Sequence, residues 1–284
     1  MLEADSLMKV TIAEIRDGVR NLSLSGHPLC VHSSLRSFGR VEGGAQAVVD
    51  ALLAEGCTVM VPSFFWGFAV PPPPHSRPAR KGWDYARFEG PTAGVGRVYT
   101  PECTEIDADM GAIPAAVVTM PGRARGGHPL CSFAAVGPVA RALVAEQGPL
   151  HVYAPLRALA ARNGWVVLMG VGLDKMTLIH LAEQMAGRNP FRRWANGPDG
   201  RAIEVEVGGC SDGFGNLEPA LSAFIRERKV GESMWLVLPA RDALEAAAAA
   251  IRQNPEVTHC GDPDCDRCND AVLGGPVVGA GVDG

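Results

Sequence analysis

Between residues 45 and 53 the apolar side chains fall at 45, 48, 49, 52 and 53, the spacing of a helix that lays one stripe on a core. Short apolar runs flank it, HPLCVHSSL (27–35) and CTVMVPSFF (57–65), and both read as strands. Residues 27–65 are therefore expected to form a strand–helix–strand unit with parallel strands and a right-handed crossover. The pattern breaks over 66–110, where WGFAVPPPPHSRPARKGW has too many prolines for a helix or a central strand. This stretch predicts a long surface loop, and its apolar part, 66–78, serves either as a lid or as a contact between the subunits of a homodimer. Helical periodicity returns near 112–119, 138–147 and 154–162, and GWVVLMGVG (164–172) is the clearest buried strand. FRRWANGPDGRAIEVEV (191–207) predicts two strands joined by a Gly- and Pro-bearing turn, with one wet face in AIEVEV. A helix near 217–228, the strand MWLVLP and an Ala-rich helix over 242–253 follow. The pattern predicts an α/β fold: a central, mostly parallel or mixed sheet flanked by helices, with an extra β-hairpin and a long Pro-rich loop. One domain is expected over 1–270, with a flexible tail at 271–284 in which GGPVVGAGVDG is read as disordered.

At 284 residues and 47% hydrophobic content the chain can bury a sizeable core. Its net charge of -5 gives no electrostatic case for nucleic acid and leans mildly toward a cationic partner. No uninterrupted apolar run reaches the roughly 18 residues of a membrane span, and MLEADSLMKV lacks the regions of a signal peptide, so a cytoplasmic location is expected. The eight cysteines are then expected to be reduced thiols.

Three polar clusters carry candidate chemistry. VGLDKMTLIHLAE (171–183) follows the buried strand at once. A helix starting near Thr177, a good N-cap type, puts Asp174 and Thr177 outside the carboxyl end of a strand, where open α/β sheets bind ligands. His180 and Glu183, three apart, share a helix face with Thr177. A carboxylate beside an imidazole fixes its tautomer and raises its basicity, as a general base requires; a solvated His–Glu pair is the plainer alternative. VHSSLRSFG (31–39) offers hydroxyls, backbone N–H groups and Arg36 to a phosphate or pyrophosphate, or is only a turn. In GGHPLCSF (126–133), His128 precedes Pro129 and so takes extended or turn backbone, free to point into a cleft or into solvent. Separately, HCGDPDCDRC (259–268) spaces Cys260, Cys265 and Cys268 as C-x4-C-x2-C, which suits a structural zinc with Cys210 or a distant His as fourth ligand. Reduced cysteines closing a turn would give the same spacing.

VHSSLRSFGRVEGGAQAVVDALLAEG, HPLCSFAAVGPVA and APLRALAARNGWVVLMGVGLDKMTLIHLAE together resemble, in that order and at similar separations, the aminoglycoside 3-N-acetyltransferase family. The resemblance covers most of 27–186 and more loosely the rest; it is not to the acetyltransferases with a Gly-rich pyrophosphate loop. It implies an acetyl-coenzyme A enzyme of α/β fold that transfers acetyl directly to the amine of a small molecule. It also implies coenzyme contacts at Ser33, Ser34, Leu35, Arg36 and Ser37 and at Gly111 and Ile113, with Asp174, His180 and Glu183 near the accepting amine. His180 is nominated as base, Glu183 as the group that orients it, Asp174 as the attractor of a cationic substrate, and His128 as rival base. Thr177 or backbone N–H groups would stabilise the oxyanion. Direct transfer is preferred because neither Cys30 nor Cys131 sits in an obvious Cys-His-acid arrangement. Where members acting on aminoglycosides usually carry Asp-Ser-Asn-Thr, this chain has DKMT (174–177). Lys175 and Met176 beside the pocket predict a less cationic amine and weak or absent aminoglycoside turnover. A thioester or amide hydrolase with the same His-Glu-Asp set, and a non-catalytic coenzyme-binding protein, are the competing readings.

Overall fold

The strand–helix–strand unit expected at 27–65 is present with parallel strands, and it forms the centre of a larger sheet. The structure, a computed structural model, describes residues 9–73, 80, 82 and 93–277. In chain order these form α1 (Ile12–Asn21), β1 (Pro28–Ser33), α2 (Gly44–Ala54), β2 (Thr58–Pro62), β3 (Ala69–Val70), α3 (Ala112–Thr119), β4 (Ala124–Arg125) and β5 (Phe133–Val136). Then come α4 (Ala140–Val144), α5 (Ala154–Ala161), β6 (Trp165–Met169), α6 (Leu178–Met185), β7 (Phe191–Asn196) and β8 (Ala202–Val207). The remainder is α7 (Glu218–Leu221), β9 (Arg226–Val230), β10 (Ser233–Pro239), α8 (Ala240–Gln253) and α9 (Asp266–Val272).

A seven-stranded mixed sheet runs β4-β5-β2-β1-β6-β10-β9, with β2, β1 and β6 parallel and the outer pairings antiparallel. The central strands are covered on both faces, and so they read as unbroken apolar runs. Alternation divides them between two cores. Leu29, Val31, Val59, Val61, Val167 and Met169 pack with α1, α2 and α3; Cys30, Met60, Val166 and Leu168 pack with α5, α6 and α8. The helices that follow the adjacent parallel strands β1 and β6 thus lie on opposite faces. A crevice opens between them at the strands' carboxyl ends, where Ser34 N–H bonds Met169 O at 2.9 Å.

Other elements refine the reading. α1 has no counterpart in the hydrophobic pattern, but Thr11 and Glu14 close a capping box at its start. The 191–207 hairpin is present and gains β3 as a third, edge strand, so the Pro-rich stretch contributes a short strand before its prolines. Most of 74–92 and all of 278–284 lie outside the described residues, and with them the lid reading of 74–78 and the disorder reading of the last residues. The helix expected over 217–228 is an error. Only Glu218–Leu221 is α-helical, and Arg226–Val230 is an edge strand on β10. Leu217, Ala220, Leu221, Phe224 and Ile225 mimic a helical stripe, while the charged Arg226, Glu227, Arg228 and Lys229 protect an open sheet edge. No helix among the described residues is long and apolar enough to cross a membrane.

Candidate active site

The crevice at the ends of β1 and β6 widens into a cleft of about 1220 Å³. The bend after β1 lines one side with Ser33, Ser34, Leu35 and Arg36, and the segment 107–111 stands beside it, ending in Gly111 at the start of α3. Asp174, Lys175, Thr177 and His180, which lead into and start α6, line the other side together with Tyr153, Gly208, Gly209 and Phe214. The coenzyme-like bend and the imidazole therefore share one cavity. Ser33 Oγ is buried there with no hydrogen-bond partner among the described residues.

Glu183 joins two buried partners. Its Oε2 lies 2.8 Å from His180 Nδ1, and its Oε1 accepts from Arg188 Nη1 at 2.6 Å and from Thr258 Oγ1 at 3.2 Å. Arg188 also donates to Thr258 Oγ1 at 2.7 Å and to Pro255 O. Because an ionised carboxylate only accepts, Nδ1 carries the imidazole proton and leaves the Nε2 lone pair free. The ring stands parallel to Tyr153 (centroids 6.1 Å, 14°) and edge-on to Phe214 (4.8 Å, 67°). A Cβ placed on Gly208 would lie 2.8 Å from Nε2 and 2.9 Å from the Tyr153 hydroxyl, so both polar atoms converge on one point beside this glycine. The Tyr153 hydroxyl is buried without a protein partner among the described residues, and burial holds it well above its ordinary pKa, so it stays a donor.

Several nominated residues are not in the cleft. His128 is fully buried: Nδ1 accepts the N–H groups of Leu130 (3.2 Å) and Cys131 (2.8 Å), and Nε2 meets Glu206 O at 2.7 Å. The ring locks a turn, and neither nitrogen is left for substrate. Ser37 turns back, bonding Ser34 O and Ser233 Oγ at 2.7 Å each, so it braces the bend against β10. Ile113 and Met176 are core residues, since helical phase turns the first from Gly111's side and the second points inward. The expectation of an apolar Met176 beside the pocket is thereby withdrawn. Thr177 lines the cleft but makes no side-chain cap to α6. Lys175 Nζ pairs with Asp174 Oδ2 at 3.1 Å, so its charge is locally balanced. Cys30 Sγ does lie 3.6 Å from His32 Nε2, a contact the spacing i, i+2 in a strand explains, but burial pushes the thiol up and the imidazole down to about 4, leaving both neutral. Burial likewise pushes the Cys131 thiol up to about 12.

His128 is also pushed down to about 4 by burial, as His32 is, from an ordinary 6.5. Below pH 6.5 the unfolded chain takes up protons on both rings while the folded chain does not, so stability falls as pH drops from about 6.5 to about 4. Each ring accounts for a loss on the order of 3 kcal/mol across that window. Urea unfolding at pH 7 and at pH 4 is expected to show this loss, and His128→Gln is expected to flatten the slope.

The sequence reading missed five site residues. Tyr153 precedes α5 in a segment whose helical pattern hides it. Asp107 and Asp109 stand just before Gly111 and make the wall acidic; Asp107 accepts Trp66 N–H at 3.0 Å, and burial raises its carboxyl. Arg188 and Thr258 reach Glu183 from 5 and 75 residues away, and no local spacing announces the second. On the far side of the 208–214 wall, Cys210, Cys260, Cys265 and Cys268 bring their Sγ atoms within 4.8 Å of one another. Tetrahedral zinc at about 2.3 Å from each sulfur needs sulfurs about 3.8 Å apart, so a small contraction closes the set. Cys260 N–H points at Cys268 Sγ (3.5 Å), while His259 is occupied by Asn269 Oδ1 (3.0 Å) and Gly261 N–H (3.0 Å), which leaves Cys210 as the candidate fourth ligand.

Known proteins share this framework. Aminoglycoside N(3)-acetyltransferase IX of Micromonospora chalcea is 37% identical over 186 residues, 62% of this chain and 63% of that protein, so the chain spans less than two thirds of that relative's length. Aminoglycoside N(3)-acetyltransferase IV of Salmonella sp is 29% identical over 258 residues, 86% of this chain and 88% of that one. The crystal structure of aminoglycoside acetyltransferase AAC(3)-IVa as apoenzyme superposes with a TM-score of 0.74 at 25% identity, covering 95% of this chain and 99% of that chain. The sequence profile described as aminoglycoside 3-N-acetyltransferase matches residues 30–252, and this chain belongs to that family.

Proposed function

We propose that this chain is an acetyl-coenzyme A-dependent N-acetyltransferase that moves acetyl directly to an amine of an aminoglycoside-like amino sugar. The observation that carries the proposal is that His180 lines the same cleft as the 33–36 bend. At neutral pH an alkyl ammonium must lose its proton before its nitrogen can attack a thioester. The first proton leaves to solvent, and Nε2 takes the second as the nitrogen attacks, with the Nδ1–H held by Glu183 at 2.8 Å and Glu183 paired with Arg188. The amine nitrogen bonds to the thioester carbonyl carbon, the carbon–sulfur bond breaks, and the imidazolium returns its proton to the departing thiolate. The Tyr153 O–H, directed at the same point, is a donor for the oxyanion alongside the nominated Thr177.

The orphaned Ser33 hydroxyl, Arg36 and the N-terminus of α3 at Gly111 suit an anionic coenzyme on one side. Across the whole cleft, Asp107, Asp109 and Asp174 outnumber Arg36 and Lys175, so the charged lining is net acidic and suits a cationic amine even though Lys175 pairs with Asp174. The names of the relatives support the same acceptor class. The buried cysteines, with thiols held protonated, favour direct transfer over an acyl-cysteine. The four-cysteine set is proposed to hold a structural zinc, with Cys210 as fourth ligand.

The test is thiol release from acetyl-coenzyme A across a panel of aminoglycosides and simpler amines, with product mass measured. Amine-dependent release and a monoacetylated aminoglycoside are expected. Release without amine would identify a hydrolase instead. A narrower check uses Gly208→Ala, whose methyl would meet the imidazole at 2.8 Å. It is expected to lower kcat at least about tenfold while leaving coenzyme affinity within about threefold.

A further inference from the structure

We infer that the thiolate site does more than tie down the C-terminal segment: zinc there is a clasp that sets the position of the catalytic imidazole. The inference rests on the zinc reading above and adds a role to it. The four sulfurs join two segments that reach the His180–Glu183 pair from opposite sides. Cys210 belongs to the wall, directly after Gly208 and Gly209 and shortly before Phe214, which stands edge-on to the imidazole at 4.8 Å. Cys260 belongs to the strut that ends in Thr258, whose hydroxyl donates to Glu183 at 3.2 Å and accepts from Arg188 at 2.7 Å.

Wall and strut already pack on each other. A Cβ on Gly213 would come within 2.4 Å of the carbonyl oxygens of both Thr258 and His259, so only a glycine admits the strut this closely, and Asn216 Nδ2 reaches His259 O at 3.3 Å. The metal would bridge the same seam through its bonds to Cys210 on the wall and Cys260 on the strut, and so fix the distance between the face that packs on the ring and the hydroxyl that holds its carboxylate. Removing it frees the wall to drift from His180 while the 33–36 bend, on β1, is untouched. Loss should therefore appear in turnover and in amine binding, and not in coenzyme affinity.

The test begins with zinc content of full-length protein purified without a metal column, expected at one per chain, and with the absorption spectrum after cobalt(II) exchange, expected to show tetrahedral thiolate ligation. Chelator-stripped protein is then assayed. Turnover is expected to fall about 10- to 100-fold, coenzyme affinity to change less than about threefold, and amide hydrogen exchange to rise over 208–216 and 255–259 but not in β1 or β6; added zinc restores all three. Absence of zinc overturns the metal reading and this inference with it. One zinc per chain, with turnover and exchange unchanged on stripping, leaves the metal reading standing and overturns the clasp. Should stripped protein unfold, Thr258→Val decides. It keeps the sulfurs, so zinc stays at one per chain, and a fall in turnover of at least about tenfold with a shifted pH profile supports the clasp. Wild-type turnover and pH profile overturn it.

Discussion

Replacing His180 by alanine is expected to lower kcat/KM for acetyl transfer by about two to four orders of magnitude, the range a positioned general base supplies. The loss should fall in kcat, because the proton is moved only as the carbon–nitrogen bond forms. Coenzyme affinity should change by less than about threefold, since the residues nominated to hold it, Ser33 to Arg36 and Gly111, lie across the cleft. The side chain is only partly exposed, and its ring packs on Tyr153 and Phe214, so the variant also loses some stability, on the order of 1–2 kcal/mol. Added imidazole should restore part of the rate by occupying the vacated space. Unchanged turnover would remove the base from this residue. His128 could not take the role over, because its two ring nitrogens are bonded to Leu130, Cys131 and Glu206.

Glu183→Gln is expected to act on both stability and chemistry. Arg188 is buried, and the Glu183 carboxylate is the one anion that its guanidinium meets in the hydrogen bonds and ion pairs described. Taking away one partner of a buried pair leaves an uncompensated charge, at a cost of about 3–5 kcal/mol. Urea unfolding at neutral pH measures that loss directly. Among molecules that remain folded, the amide can still accept from Nδ1–H but no longer stabilises the imidazolium, so turnover at saturating substrate should fall by about 10- to 100-fold. The double change Glu183→Gln with Arg188→Met removes both charges. It should recover stability and not turnover, which separates the structural role of the pair from its role in catalysis. A single variant as stable as the parent would contradict the buried-pair argument.

Local spacing made much of this site legible, and long-range packing made up the rest. His180 and Glu183 are three apart on one helix, so the sequence fixes their pairing at 2.8 Å almost without reference to the fold. The placement of Asp174 and Thr177 followed from the rule that ligands sit at the carboxyl ends of parallel strands, and the 33–36 bend was read from its hydroxyls, its backbone N–H groups and the family resemblance. Thr258 could not be foreseen, because it meets Glu183 only after 75 residues of chain have returned to α6. His128 misled for a local reason: the His–Pro step does sit in a turn, but the ring folds back to take the N–H groups two and three residues on. Ser37, Ile113 and Met176 failed by orientation, since a short motif names neighbours without saying which of them points into the cleft. The fold shows the same division. The parallel centre and the 191–207 hairpin carry their periods plainly, while β9 was hidden by an apolar stripe of helical spacing that ends in an edge strand.

The central claim is that one imidazole nitrogen meets coenzyme and amine at a single point. The most direct measurement is a crystal structure of the protein with coenzyme A and an aminoglycoside bound together. The predicted result has the accepting nitrogen within about 3 Å of His180 Nε2, the coenzyme sulfur beside it and the Tyr153 hydroxyl facing the same place. An amine seated outside that reach, or a coenzyme bound away from Ser33 and Ser34, would contradict it.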